Sequence, residues 1–188
     1  MANLNHINLR LNEAQNFVKR WHRHSKPLKR HMFSIGGYSR FIMTDGHTVP
    51  TEHRKPYPIG LEGIITVDRA SSAWSAERHI IELRRVCLAD HAPKNMASFL
   101  INKARDACLA MGYKKIVTYT QPYESGASLR AAGFWLDAFC DITRDTDGNV
   151  DGVVRWEFIA GHRLSEQGRQ NQKMNLDRLD KFIGGQND

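Results

Sequence analysis

Apolar positions along the chain recur at two periods, and the places where the period changes mark out its elements. From 80 to 88, Ile80, Ile81, Leu83, Val86 and Leu88 are interleaved with Glu82, Arg84 and Arg85, which predicts a strand. Met96, Phe99, Leu100, Ala104, Ala107, Cys108 and Met111 then recur every three or four residues, which predicts a helix over 95–111 with one buried stripe. Gly112 is placed to stop that helix. Ile116, Val117 and Tyr119 predict a strand over 115–120, and a short helix over 126–132 ends at Gly133. Strand, helix, strand in this order implies a right-handed crossover between parallel neighbours.

On either side the pattern is weaker. Ala14, Phe17, Val18 and Trp21 predict a helix over 12–24, with Asn12 as cap and Gln15 closing a capping box. Gly36-Gly37 reads as a hairpin turn between strands 31–36 and 38–44. The polar stretch 45–58, with Pro50, Pro56 and Pro58, reads as a long loop. A strand interrupted by Gly63 is expected over 61–67, and a small, polar loop over 68–76. Strands over 134–143 and 150–159 flank the turn-rich residues 145–149. After 161 the chain is polar. Met174, Leu176, Leu179, Phe182 and Ile183 allow either a docked helix or a frayed tail. The expected layout is one domain over 1–160, with 161–188 appended.

Composition narrows the class. No apolar run approaches the length of a membrane span, and the first residues show no cationic stretch followed by an apolar one, so the expectation is a cytoplasmic protein. Cys87, Cys108 and Cys140 are scattered and odd in number, which argues for free thiols in a reducing compartment, with Cys108 as buried filler. Net charge is +7, and its placement says more than its size. Residues 1–58 carry ten Lys and Arg against three Asp and Glu, whereas residues 59–188 carry seventeen of each. The densest run, 19–31, holds six cations, three histidines and no acid. Lys19, Arg20, His22, Arg23, His24 and Lys26 are therefore candidates for contacting a polyanion such as DNA, by counterion release. A solvated helix face would have the same composition.

The order of elements, with Ala131-Ala132-Gly133-Phe134 closing the short helix, resembles the GNAT N-acyltransferases over roughly residues 5–158. That resemblance implies an α+β fold: a mixed, mostly antiparallel sheet with a central strand–helix–strand and helices on both faces. It implies that the backbone of Val86, Cys87 and Leu88 holds the pantetheine arm of an acyl-CoA such as acetyl-CoA. The loop and helix start at Lys94, Asn95, Met96, Ala97 and Ser98 would then hold its pyrophosphate. The chain departs from the common pattern twice. The loop 92–98 has no glycine, and Leu129 stands where the family's acid tyrosine precedes Gly-Phe. Glu82-Leu83-x-Arg85, Asp90, Pro93-Lys94-Asn95-x-x-Ser98, Tyr119 with Pro122, and the early His24-Ser25-Lys26 are similar to the phage Mom-type DNA-modification proteins. That branch implies an enzyme in the host cytoplasm that modifies the exocyclic amine of adenine in DNA, against restriction.

The residues themselves carry the chemistry as follows. Glu82 can act as a general base toward an attacking amine, directly or through water, or pair with Arg84 or Arg85. A helix start with Lys94 beside it can hold a phosphate, and a plain capped helix would use the same Asn95. Tyr119, Tyr123 or Ser125 can supply the acid that Leu129 cannot, although Tyr119 suits a strand interior equally. Arg85 joins the substrate-binding candidates. His22 and His24 do not share a face on a continuous helix, so a divalent metal there is a secondary option to solvated imidazoles. Three functions remain in play: a Mom-like transferase on DNA, an ordinary acetyl-CoA-dependent transferase acting on a small amine or protein lysine, and a nucleic-acid-binding module without catalysis. Monomer and homodimer are both compatible with the sequence.

Overall fold

A computed structural model describes residues 4–21, 29–39, 60–70, 79–144 and 150–184. In chain order these form β1 (Asn5–Leu9), α1 (Leu11–Trp21), β2 (Phe33–Tyr38), β3 (Gly63–Arg69), β4 (Ile80–Leu88), α2 (Met96–Ala110), β5 (Lys115–Thr120), α3 (Ala127–Ala131), β6 (Trp135–Arg144), β7 (Val150–Ile159) and α4 (Glu166–Gly184). The seven strands are hydrogen-bonded in the order β1-β2-β3-β4-β5-β7-β6. The β4–β5 pair is parallel, and the pairs β1–β2, β2–β3, β5–β7 and β6–β7 are antiparallel. The fold class is thus the mixed, mostly antiparallel α+β sheet expected. The chain divides into two compact units, Met1–Arg69 with Arg84–Asp106, and Ala70–Leu83 with Ala107–Asp188.

In the first unit, β2 runs straight through Gly36 and Gly37, pairing with β1 from Asn5↔Tyr38 to Leu9↔Ser34 and with β3 from Phe33↔Val67 to Gly37↔Gly63. The expected hairpin at Gly36-Gly37 is therefore wrong, and residues 40–44 of its second arm lie outside the described residues, as does the loop 45–58. The glycines serve packing instead. A Cβ on Gly37 would overlap the Met96 sulfur, and one on Gly63 would lie 2.6 Å from Leu88 Cδ2 and 3.1 Å from Met96 Cγ. Their missing side chains let the first turn of α2 sit down on the strands. A Cβ on Gly36 would instead meet Leu61 and Leu9, which belong to the core cluster of Ala14, Phe17 and Val18 from α1 with Ile64 and Cys87. Successive strand residues point to opposite faces, so α1 and α2 cover opposite faces of β2–β3. The start of α1 also differs from expectation. Glu13 Oε2 accepts the Arg10 amide at 2.6 Å, so the acidic half of the capping box acts on Arg10. Asn12 Oδ1 accepts the adjacent Glu13 amide, at 2.9 Å.

In the second unit, β5 pairs with the first half of β4, from Ile80↔Lys115 to Leu83↔Thr118, and with β7 along its full length. The C-terminal end of α2 is closed as the glycine suggested. Gly112 has φ +90°, and the amides of Gly112 and Tyr113 donate to Leu109 O and Cys108 O at 3.0 and 3.1 Å, the paired bonds of a Schellman motif. Met111, assigned to the apolar stripe of that helix, is instead 53% exposed, because it follows the last helical residue. Residues 166–184 are helical: Leu179 is fully buried, the Phe182 and Phe139 rings are 5.8 Å apart and tilted by 51°, and the Arg178 guanidinium lies 4.5 Å over the Phe139 ring. No helix among the described residues is long and apolar enough to cross a membrane.

All three cysteines are free thiols. Burial pushes the Cys87 thiol up to about 11 and the Cys108 thiol up to about 12. Native protein treated with iodoacetamide at pH 8 should therefore be alkylated first at Cys140, read by peptide mapping; early labelling of Cys87 or Cys108 would contradict this packing. Because both values are raised on folding, the stability these thiols contribute is complete below pH 9, where they are neutral even in the unfolded chain. It is lost as pH climbs through 11 to 12.

Candidate active site

The expected site residues fall in both compact units, those of 85–98 in the first and Glu82, Tyr119, Tyr123 and Ser125 in the second. In the first unit the second half of β4 leads into two successive turns. Ala89 N–H donates to Glu62 O at 2.8 Å, Ala92 N–H to Ala89 O at 2.9 Å, and Met96 N–H to Pro93 O at 3.2 Å. Asn95 sits in the left-handed region, φ +72°, rather than in the extended conformation usual for a cap. Asparagine is the side chain that best tolerates that conformation after glycine. A tight turn with one left-handed residue aims successive amides to one side, which suits an anion. The loop therefore lacks glycine but not the backbone geometry that glycine ordinarily provides.

The helix start is held by both backbone and side chains. Asn95 O accepts from Phe99 N–H at 2.9 Å and from Ser98 Oγ at 3.0 Å, while Asn102 Nδ2 donates to Ser98 O at 2.9 Å. The amides of Ala97 and Ser98 come before the first of these helical bonds, so they are available at the positive end of the dipole. Met96 is fully buried against Gly37 and Gly63 and pins the turn; Lys94 and Asn95 are exposed. Of the strand residues, Cys87 is buried and Val86 and Leu88 are half-buried. Arg85 is half-buried, and its buried Nε has no hydrogen-bond partner among the described residues. Burial lowers the pKa of this guanidinium, the Arg84 charge lowers it further, and Cys87 partly offsets both. A buried N–H of this kind is satisfied by an anionic or carbonyl ligand.

Asn95→Gly should leave the turn intact, whereas Asn95→Val forces a β-branched residue into the left-handed region at a cost of about 1–2 kcal/mol. Urea midpoints of the two variants check this. Equal midpoints would contradict the left-handed turn.

In the second unit Glu82 is 5% exposed and lies opposite Val117. Next to that pair, Thr118 Oγ1 donates to Leu83 O at 2.9 Å, so a side chain takes up the carbonyl at the end of the parallel register. Tyr119 and Thr120 continue along Arg155 and Val154 of β7. Tyr119 is half-buried; Tyr123 and Ser125 are exposed. The connection to α3 is closed on itself: Glu124 Oε2 accepts the Gln121 amide at 2.7 Å, and the Glu124 amide donates to Gln121 O at 3.0 Å. Ser125 Oγ accepts from Ala127 N–H at 3.4 Å, which gives it a local role at the start of α3. Leu129, on α3, is 5% exposed.

Of the cationic candidates on α1, Lys19 and Arg20 are exposed, with the Arg20 guanidinium 5.1 Å over the Trp21 ring. His22, Arg23, His24 and Lys26 lie outside the described residues. The sequence reading missed a polar network across β5, β7 and β6. Lys115 Nζ lies 2.8 Å from Glu157 Oε1, and Arg155 Nε donates to Asp137 Oδ2 at 2.6 Å. Burial raises the Glu157 pKa, and the Lys115 hydrogen bond works against that shift. The only signal for it was charge at alternate strand positions, as at Arg155 and Glu157.

No family model and no curated protein matches this chain. Solved structures do. An acetyltransferase of the GNAT family from Streptococcus pneumoniae superposes with a TM-score of 0.55 at 13% identity, over 85% of this chain and 100% of the other. This chain has the GNAT fold. The ribosomal-protein-S18-alanine N-acetyltransferase from Escherichia coli gives 0.55 at 12% identity, over 87% and 97%. A Bacillus subtilis acetyltransferase in complex with CoA gives 0.52 at 9% identity, over 84% and 99%. At such identities the likeness is one of fold. Within the GNAT fold as this chain builds it, the left-handed turn at Asn95 joins β4 to α2, the place where the sequence resemblance put the donor's pyrophosphate.

Proposed function

We propose that this chain is an acyl-CoA-dependent N-acyltransferase whose acceptor is an amine on DNA. The observation that carries the donor assignment is the Pro93–Met96 turn: left-handed Asn95, the amides of Ala97 and Ser98, and exposed Lys94 together suit a pyrophosphate. Val86–Leu88 offer an extended backbone for the pantetheine arm, and Arg85 offers a buried N–H lacking an acceptor among the described residues. When bound, the donor supplies an activated acyl group. Glu82 takes the proton from the attacking amine as the new bond forms, since an adenine amine is neutral but weakly nucleophilic. Tyr119, or exposed Tyr123, protonates the leaving sulfur in place of the tyrosine that Leu129 replaces. Support for DNA as acceptor comes from the charge of residues 1–58 and from the Mom-like motifs 82–85 and 93–98.

The test is thiol release from acetyl-CoA in the presence of an adenine-containing oligonucleotide, spermidine, or a lysine peptide, together with nucleoside mass spectrometry of plasmid DNA co-expressed with the protein. Thiol release and a new adenine nucleoside are expected. Release with spermidine or the peptide alone, with unmodified nucleosides, would retain the transferase and replace its acceptor. One observation favours a second reading, a DNA-binding module without catalysis: Leu129 at the acid position is buried and cannot donate a proton. DNA binding with no thiol release from any acceptor is the outcome that reading requires.

A further inference from the structure

We propose that the second compact unit carries a nucleotide-binding pocket, separate in its residues from the donor turn and from the transfer candidates. The cavity, about 490 Å3, is framed by the C-terminal end of α3, the start of β6 and the first turns of α4. That volume lies within the roughly 300–1,000 Å3 range of small-ligand sites. Its flat wall is Trp135, half-buried, with the His162 ring 5.1 Å away and tilted by 45°. Its charge comes from Arg130, Arg163 and Arg169, and among the described residues none that lines it is acidic. This is a local excess in a balanced sequence, since residues 59–188 carry equal numbers of cations and acids.

The groups are held rather than trailing. His162 N–H donates to Ile159 O at 3.2 Å, which fixes the turn that presents His162 and Arg163. Ser165 opens α4 by accepting the Gly168 amide at 3.1 Å, and Arg169 is tied back through Nη1 to Leu164 O at 3.3 Å. A fixed aromatic face beside several guanidinium groups matches a ligand with a planar base and a phosphate. Arginine binds phosphate oxygens in pairs, and a base stacks on indole whatever its sequence. The shared chemistry belongs equally to a free nucleotide and to one unit of a single strand. The pocket does not rest on the transferase assignment.

The test uses the full chain labelled with 5-fluorotryptophan, with the Trp135 fluorine resonance assigned through Trp135→Phe. Adenosine monophosphate, ribose 5-phosphate, inorganic phosphate and a six-residue deoxyadenosine oligonucleotide are titrated in turn. The expected result is a saturable shift of the Trp135 signal with the two base-containing ligands, weakened at least about tenfold in Arg163→Ala/Arg169→Ala. Both arginines are exposed, so this variant should fold, and the single variant Arg163→Glu repeats the test if it does not. Saturation by the oligonucleotide at a tenfold lower concentration identifies a strand as the source, and equal saturation identifies the free nucleotide. Equal shifts with ribose 5-phosphate or phosphate, no shift with any ligand, or unchanged affinity in the arginine variants would each overturn the proposal. Reading Trp135 itself separates this pocket from any binding by the basic residues near 19–31.

Discussion

Gly126→Ala should destabilise the protein by about 2–5 kcal/mol. Gly126 has φ +61°, which costs an L-residue about 1–2 kcal/mol. A Cβ there would also overlap the indole ring of Trp156. Trp156 is fully buried and anchored by its Nε1 donating to Thr120 Oγ1 at 2.9 Å, so it has little room to yield. Forced overpacking of that kind costs about 1–3 kcal/mol more. For a chain of this size the melting temperature should drop by about 4–20 °C. Gly112→Ala separates the two causes: Gly112 has φ +90°, but a Cβ added there would meet nothing within 4 Å among the described residues, so only the backbone cost applies. Equal melting temperatures for the two variants would contradict the seating of Trp156 under the start of α3. Because α3 begins directly after Tyr123 and Ser125, this contact also sets where those transfer candidates stand.

Glu82→Gln should lower kcat/KM for acyl transfer by about 10²–10⁴, the usual worth of a general base, while leaving CoA affinity within about twofold. The change is isosteric, which matters because Glu82 is almost wholly buried within β4 and a smaller residue would leave a cavity. Thiol-release kinetics with matched calorimetry check both halves. An unchanged rate would remove Glu82 from the chemistry and leave it a buried strand residue. A parallel loss of rate and CoA affinity would make its role structural.

The central strands were legible because their apolar alternation and the helical stripe between them are local. Lys115–Thr120 and Val150–Ile159 were read with their observed ends, and β4 and α2 to within a residue at each end. β1 escaped, since Ile7 and Leu9 are its only apolar residues and its partner lies some thirty residues on. Gly36-Gly37 misled for a physical reason. Two glycines in a row carry a strong local preference for turning, but here the deciding contacts come from Met96, Leu9 and Leu61, distant in sequence. The turn at 93–96 was hidden for another reason. The loop 92–98 has no glycine, yet Asn95 adopts the left-handed conformation. Composition cannot show which asparagine will do so. The same holds for Arg85: its type marked it as a substrate contact, but only burial shows that its Nε lacks a partner among the described residues.

Every catalytic role assigned to these residues requires an acyl-CoA docked at the turn between β4 and α2. Titrating CoA into ¹⁵N-labelled protein and following the amides of Met96, Ala97 and Ser98 tests that docking most directly. Saturable shifts are expected at those three positions, weakened several-fold in Lys94→Ala, whose side chain is exposed and whose loss should leave the fold intact. Folded protein whose Met96, Ala97 and Ser98 amides stay still at millimolar CoA would contradict it.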